Sequence, residues 1–129
     1  MTASGEQVTI SLAALGMTPG THGAHLHMVG SCVAPAFASA GSHLNPSVHQ
    51  HGTDNPNGSH MGDLPNLVIS PDGTGTLSAV LRGTRTNVEA ALFDADGTAI
   101  VIHADADDYK TDPTGNSGGR IACGVLSRS

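Results

Sequence analysis

Aromatic residues are almost missing from this 129-residue chain, which has one Tyr, two Phe and no Trp. Any core must therefore be built from aliphatic side chains. Basic residues are scarce as well. Arg82, Arg85, Lys110, Arg120 and Arg128 stand against eleven acidic side chains, for a formal net charge of −6. No basic stripe exists to neutralise phosphates, which excludes nucleic acid as a partner. No apolar run is long enough to span a bilayer as a helix, so no membrane association is expected. There are only two cysteines, Cys32 and Cys123, and no C-x-x-C pair, which excludes a zinc finger. Two free thiols and one long-range disulfide both remain open, and an oxidising compartment would favour the bond. The first residues, MTASGEQ, lack the charged and apolar regions of a secretion signal, so none is expected in this chain.

What the chain does have is seventeen Gly, seven Pro and short apolar runs between them, the pattern of an all-β protein with long ordered loops. Its length fits one domain over residues 1–129. Val8 to Leu15 alternates as a strand with Val8, Ile10 and Leu12 on one face. His22 to Val29 reads as a second strand, with Ala24, Leu26 and Met28 facing the core and His25 and His27 facing the other way. Leu67–Ser70 and Gly75–Leu81 flank Pro71-Asp72-Gly73-Thr74, a hairpin signal. Arg82–Asn87 reads as a polar loop, and Val88–Phe93 fits either a helical turn or a loop. Thr98–His103 and Arg120–Leu126 complete the strands. Residues 30–66 and 104–119 are long polar loops, and loops of that length in a compact domain are commonly functional.

Eight histidines in so short a chain point to metal. A single histidine is more often a surface or satisfied core residue than a ligand, but the grouping here is harder to dismiss. His25 and His27, two residues apart on a strand, project their rings from one face, and His103 ends another strand. In the first long loop His43, His51, His60 and Asp63 fall within twenty-one residues. Three imidazoles and a carboxylate suit tetrahedral zinc.

The runs GTHGAHLHMVGSC, SAGSHLNP, HMGDLPNL, IVIHADADD and TGNSGGRIACGVL resemble the signature segments of copper,zinc superoxide dismutases, in that family's order. The HGTDNPNG stretch and the short loop after His103 look most like the bacterial branch. The resemblance implies a Greek-key β-barrel or sandwich. It also implies copper held by His25, His27, His43 and His103, and zinc held by His43, His51, His60 and Asp63, with His43 as the bridge. Asp107 would link His25 to His51, Arg120 would position the anion at the channel mouth, and Cys32 would pair with Cys123. His22 reads as structural and His49 as surface. Three departures stand out. Ala24 replaces a usually large apolar residue, Met28 stands where an acid is common, and the chain begins near the family's third strand. The last implies open strand edges and self-association, a dimer being the simplest closed form.

The function that the resemblance implies is disproportionation of superoxide to dioxygen and hydrogen peroxide, with copper as the redox centre and no cofactor beyond the two metals. Periplasmic or extracellular residence follows by the same analogy. The alternatives are a metal-binding domain of the same fold with little turnover, and a structural sandwich whose histidines are incidental. Storage needs no substrate-guiding arginine, so Arg120 weighs for the enzyme.

Overall fold

The computed structural model describes residues 2–4 and 7–127. Its elements are β1 (Thr2–Ser4), β2 (Gln7–Ala14), β3 (Gly20–His22), β4 (Ala24–His27), a 3₁₀ turn (Ala38–Ala40), β5 (Leu67–Ile69), β6 (Gly75–Leu81), α1 (Arg85–Leu92), β7 (Ala99–His103) and β8 (Arg120–Val125). All strand pairing is antiparallel, in the orders β1-β2-β6, β3-β5 and β4-β7-β8. This is the all-β fold expected. Among the described residues, no helix is long and apolar enough to cross a membrane.

Side-chain alternation places the core. Val8 and Ile10 on β2 and Leu81 on β6 face Leu26 on β4 and Ile100 on β7, and Leu44, Leu64, Val88 and Leu92 fill the gaps between them. The core is aliphatic throughout, as the composition requires. A fully buried leucine such as Leu26 contributes on the order of 2–5 kcal/mol against its truncation to alanine. Ala24 is also fully buried, packed with Leu67, Ile69 and Ile102.

Within the sheet β4-β7-β8, strands β4 and β7 are covered on both faces. The pairs Leu26↔Ile100 and Ala24↔Ile102 point into the core, whereas His25↔Val101 and His27↔Ala99 point out beneath the first long loop. Every residue of β4 and β7 is therefore buried, which explains the unbroken apolar run before His103. The loop lies on the sheet through main-chain bonds, Leu26 N–H to Gly62 O, Leu44 N–H to Leu26 O and Gly62 N–H to Leu44 O. A Cβ at Gly62 would collide with Leu26 O, so only glycine permits this approach. The Cys32–Cys123 disulfide ties the loop to β8 across 91 residues of sequence.

Several expectations are corrected. The strand expected over His22–Val29 breaks at Gly23, whose N–H bonds to Asp105 O and whose carbonyl accepts from His103 N–H, so β3 joins β5 while β4 joins β7. Met28 lies beyond β4 and is 47% exposed instead of facing the core. The turn at 70–74 forms, but β5 and β6 leave it to pair with β3 and β2, making a corner between sheets. Residues 85–92, read partly as polar loop, are helical. Thr84 caps the helix by accepting from Asn87 N–H, and Val88 and Leu92 bury one turn apart. A strand, β1, precedes Val8 and pairs with β2 through Thr2↔Thr9 to Ser4↔Gln7. Among the described residues, the outer edge of β8 has no ladder partner, and Ile121 and Val125 are exposed.

Candidate metal centre

The outward face of β4 and the end of β7 carry His25, His27 and His103, and the bridge between His27 and His43 sets the loop's histidine against them. Ligand atoms of His25, His27, His43 and His103 all lie within 4.8 Å of one another, and all four residues are buried. In each ring one nitrogen is engaged and the other is not. His25 Nε2–H donates to Asp107 Oδ2 at 2.6 Å, His27 Nδ1–H to Gly41 O at 2.8 Å, and His103 Nδ1–H to Gly118 O at 3.2 Å. The opposite atoms, His25 Nδ1, His27 Nε2, His103 Nε2 and also His43 Nε2, are buried without a hydrogen-bond partner. Unpartnered buried polar atoms are rare and need a reason. Four lone pairs converging from held rings supply one, because an outer hydrogen bond selects the tautomer that leaves the inner nitrogen free for a metal.

A second set forms around Asp63. Its Oδ1 lies 3.3 Å from His43 Nδ1, 2.9 Å from His51 Nδ1 and 3.2 Å from His60 Nδ1, and the His43 and His60 Nδ1 atoms are 3.2 Å apart. Donors about 2.0–2.1 Å from a tetrahedral ion stand about 3.3–3.4 Å from one another. The spacing found is that of tetrahedral edges, slightly tight. His51 Nδ1 lies near Asp63 but outside hydrogen-bonding alignment, as befits two donors aimed at a common point. His25 is also within reach of this group. Its free Nδ1 also converges with the first set, whereas His60 Nδ1 stands 3.2 Å from both Asp63 Oδ1 and His43 Nδ1 and can serve as the fourth donor. These two donor sets fit copper and zinc, the first all imidazole and the second three imidazoles with a carboxylate.

Asp107 joins the sets, accepting from His25 through Oδ2 and from His51 Nε2–H through Oδ1 at 2.8 Å. It is itself held. Asn66 exchanges two bonds with its backbone, Tyr109 N–H donates to Oδ1, and the Tyr109 hydroxyl accepts from Asn66 N–H. Gly115, at φ +68, lies so close that a Cβ there would collide with Asp107 Oδ1. Asp112 accepts from His51 N–H at 2.7 Å. Asn66, Tyr109, Asp112 and the Gly41 and Gly118 carbonyls were all missed from sequence. Apart from the side chains of Asn66 and Asp112 and the Tyr109 hydroxyl, they act through backbone atoms that every residue possesses, so residue type carried no signal.

Burial dominates the charge states. It pushes His27 down to about 3 and His43 and His103 down to about 4, and it lowers His25 despite the Asp107 hydrogen bond. These rings are neutral at pH 7, as metal ligation needs. Burial opposes charge on His51 too, but the hydrogen bond to Asp107 and the adjacent Asp63 carboxylate outweigh it and push that ring up to about 9. Burial alone would raise Asp63 and Asp107. The His43, His51 and His60 rings clustered on its carboxylate hold Asp63 well below the carboxylate range, and hydrogen bonds from His25 and His51 do the same for Asp107.

Arg120 starts β8 and donates to Phe37 O at 2.8 Å and Gly41 O at 2.7 Å. With His43, Asn45, His49, His60 and Asp112 it lines a cleft of about 310 Å³. Lys110 is exposed and does not line this cleft. His49 is exposed at the same cleft, its Nδ1 3.1 Å from Ser59 O. His22 is structural, with its two ring nitrogens on His103 O and Thr18 O.

A profile of the family described as "Copper/zinc superoxide dismutase (SODC)" matches residues 1–126. The chain belongs to this family. The superoxide dismutase [Cu-Zn] of Caulobacter vibrioides is 43% identical over 123 residues, 92% of this chain and 71% of that one. The superoxide dismutase-like protein YojM of Bacillus subtilis is 43% identical over 126 residues, 94% of this chain and 63% of that one. A crystal structure of a SOD-like protein from Bacillus subtilis superposes with a TM-score of 0.84 at 40% identity, covering 97% of this chain and 85% of its own.

Proposed function

We propose that this chain disproportionates superoxide to dioxygen and hydrogen peroxide. His25, His27, His43 and His103 would hold copper, and His43, His51, His60 and Asp63 would hold zinc. The observation that carries the reading is His43. Its Nδ1 lies among the Asp63 donors while its Nε2 is buried and unpartnered beside the other three rings. Copper, when bound, supplies the one-electron couple that zinc and these side chains lack. The protein's part is positioning and proton handling. His43, held at Nδ1, can carry a proton on Nε2 and release it to the peroxide being formed. Arg120, fixed by two carbonyls, keeps its guanidinium at the cleft and orients an anion beside that nitrogen. The disulfide suits an oxidising compartment, periplasmic or extracellular.

The decisive experiment loads the chain with copper and zinc and measures superoxide decay together with metal content. His43→Ala should retain metal in part while losing dismutation, and wild-type protein that holds both metals yet leaves superoxide decay unchanged sinks the proposal. In that case the chain is a metal-binding domain of the same fold, a reading favoured by the relative named only dismutase-like.

A further inference from the structure

We propose that Met28 is a peroxide-oxidised site whose sulfoxide disturbs the carbonyl clamp on Arg120 and His27. Met28 follows the His27 ligand candidate directly and is 47% exposed. It lines a cleft of about 370 Å³ that also reaches His43, together with Leu44, Asn45, Asp94 and Asp96. Met17 and Met61, by contrast, are half-buried and packed against the apolar clusters. Among the described methionines, Met28 alone is exposed, and it stands at an opening toward the candidate metal centre.

The second observation is what Met28 lies on. A Cβ added at Gly41 would come within 2.9 Å of Met28 Cγ and 3.6 Å of its sulfur, so the thioether rests on the Gly41 backbone. Gly41 O is the shared acceptor of His27 Nδ1–H and Arg120 Nη2–H. One main-chain carbonyl thus orients an imidazole and the guanidinium at the cleft, and the Met28 N–H to Ser42 O bond pins the same segment. An oxygen placed on the sulfur turns a flexible apolar side chain into a polar, chiral one and has to be accommodated against this carbonyl-bearing turn.

The chemistry balances with hydrogen peroxide alone. A sulfur lone pair attacks one peroxide oxygen, the O–O bond breaks, the sulfur–oxygen bond forms, and water leaves with both protons. Sulfur is oxidised by two electrons and peroxide is reduced. Peroxide is the product of the proposed reaction, so the physiological meaning rests on that reading. The modification itself does not, because added peroxide suffices.

The test treats copper- and zinc-loaded protein with a small excess of hydrogen peroxide and maps sulfoxides by peptide mass spectrometry. Met28 should oxidise at least about fivefold faster than Met17 or Met61. Equal rates, or an unmodified Met28, overturn the site. Azide affinity of the copper-loaded protein then reads the clamp without reference to dismutation. Oxidised wild type should bind azide at least about threefold more weakly, methionine sulfoxide reductases should restore it, and peroxide-treated Met28→Leu should be unchanged. An unaltered azide affinity after full Met28 oxidation, or an equal change in Met28→Leu, overturns the clamp effect. A chain that fails to dismutate superoxide yet shows the selective oxidation and the azide shift leaves this proposal standing and removes the previous one.

Discussion

Replacing Asp107 by asparagine should damage zinc binding more than copper binding, and the structure sets both direction and size. The carboxylate accepts from His25 at 2.6 Å and from His51 at 2.8 Å. Asparagine keeps the shape but offers one oxygen and one NH₂ group. Whichever ring meets the NH₂ must turn its outer nitrogen into an acceptor, which moves the proton to the inner nitrogen where the metal belongs. The two rings do not suffer equally. His25 rides on β4, whose ladder with β7 fixes its backbone on either side, and three other imidazoles share its site. His51 sits in the long loop, where Asp107 holds its ring and Asp112 its N–H. Loss of such outer support typically weakens metal binding about 10–100-fold, or about 1.4–2.7 kcal/mol. Zinc affinity measured by chelator competition should fall within that range, while copper affinity falls by less. Zinc binding within about twofold of wild type, or a larger loss for copper than for zinc, would refute the reasoning.

Arg120→Glu should lower the superoxide decay rate about tenfold or more with the copper spectrum nearly intact, and a rate within about twofold of wild type would remove Arg120 from substrate guidance. Opening the Cys32–Cys123 bond, which spans 91 residues, should cost up to about 4–5 kcal/mol in the chain-entropy model, measurable by denaturant titration of reduced against oxidised protein. Two free thiols in the native protein would contradict the bond outright. Metal-free protein should be most stable near pH 6.5. Below that pH the unfolded chain binds protons that buried His27, His43 and His103 refuse until about 3 to 4, so stability falls toward acid. Above it, the stabilisation that His51 gains from its raised value is lost as pH climbs through about 9. Urea midpoints across pH 4–9 test both limbs, and a midpoint rising steadily toward acid or alkali would show the assignment of signs to be wrong.

The features legible in the sequence were those that depend on local alternation or on residue type. Two histidines separated by one residue on a strand must share a face, so the pairing of His25 with His27 follows from spacing alone. Short apolar runs between Gly and Pro, and the clustered His43, His51, His60 and Asp63, likewise pointed to an all-β chain with a metal centre. Tertiary structure decided what depends on the path of the chain. It broke the second strand at Gly23, sent β5 and β6 to different sheets, and turned Met28 outward onto Gly41. It built α1 from a segment with only two buried apolar positions, too weak a pattern to separate a helix from a loop. It also chose which nitrogen of each ring looks inward. That choice is made by Gly41 O, Gly118 O and Asp107, groups brought from 14 to 82 residues away. A carbonyl has no identity in a sequence, and an imidazole has no preferred nitrogen until a neighbour takes the other one.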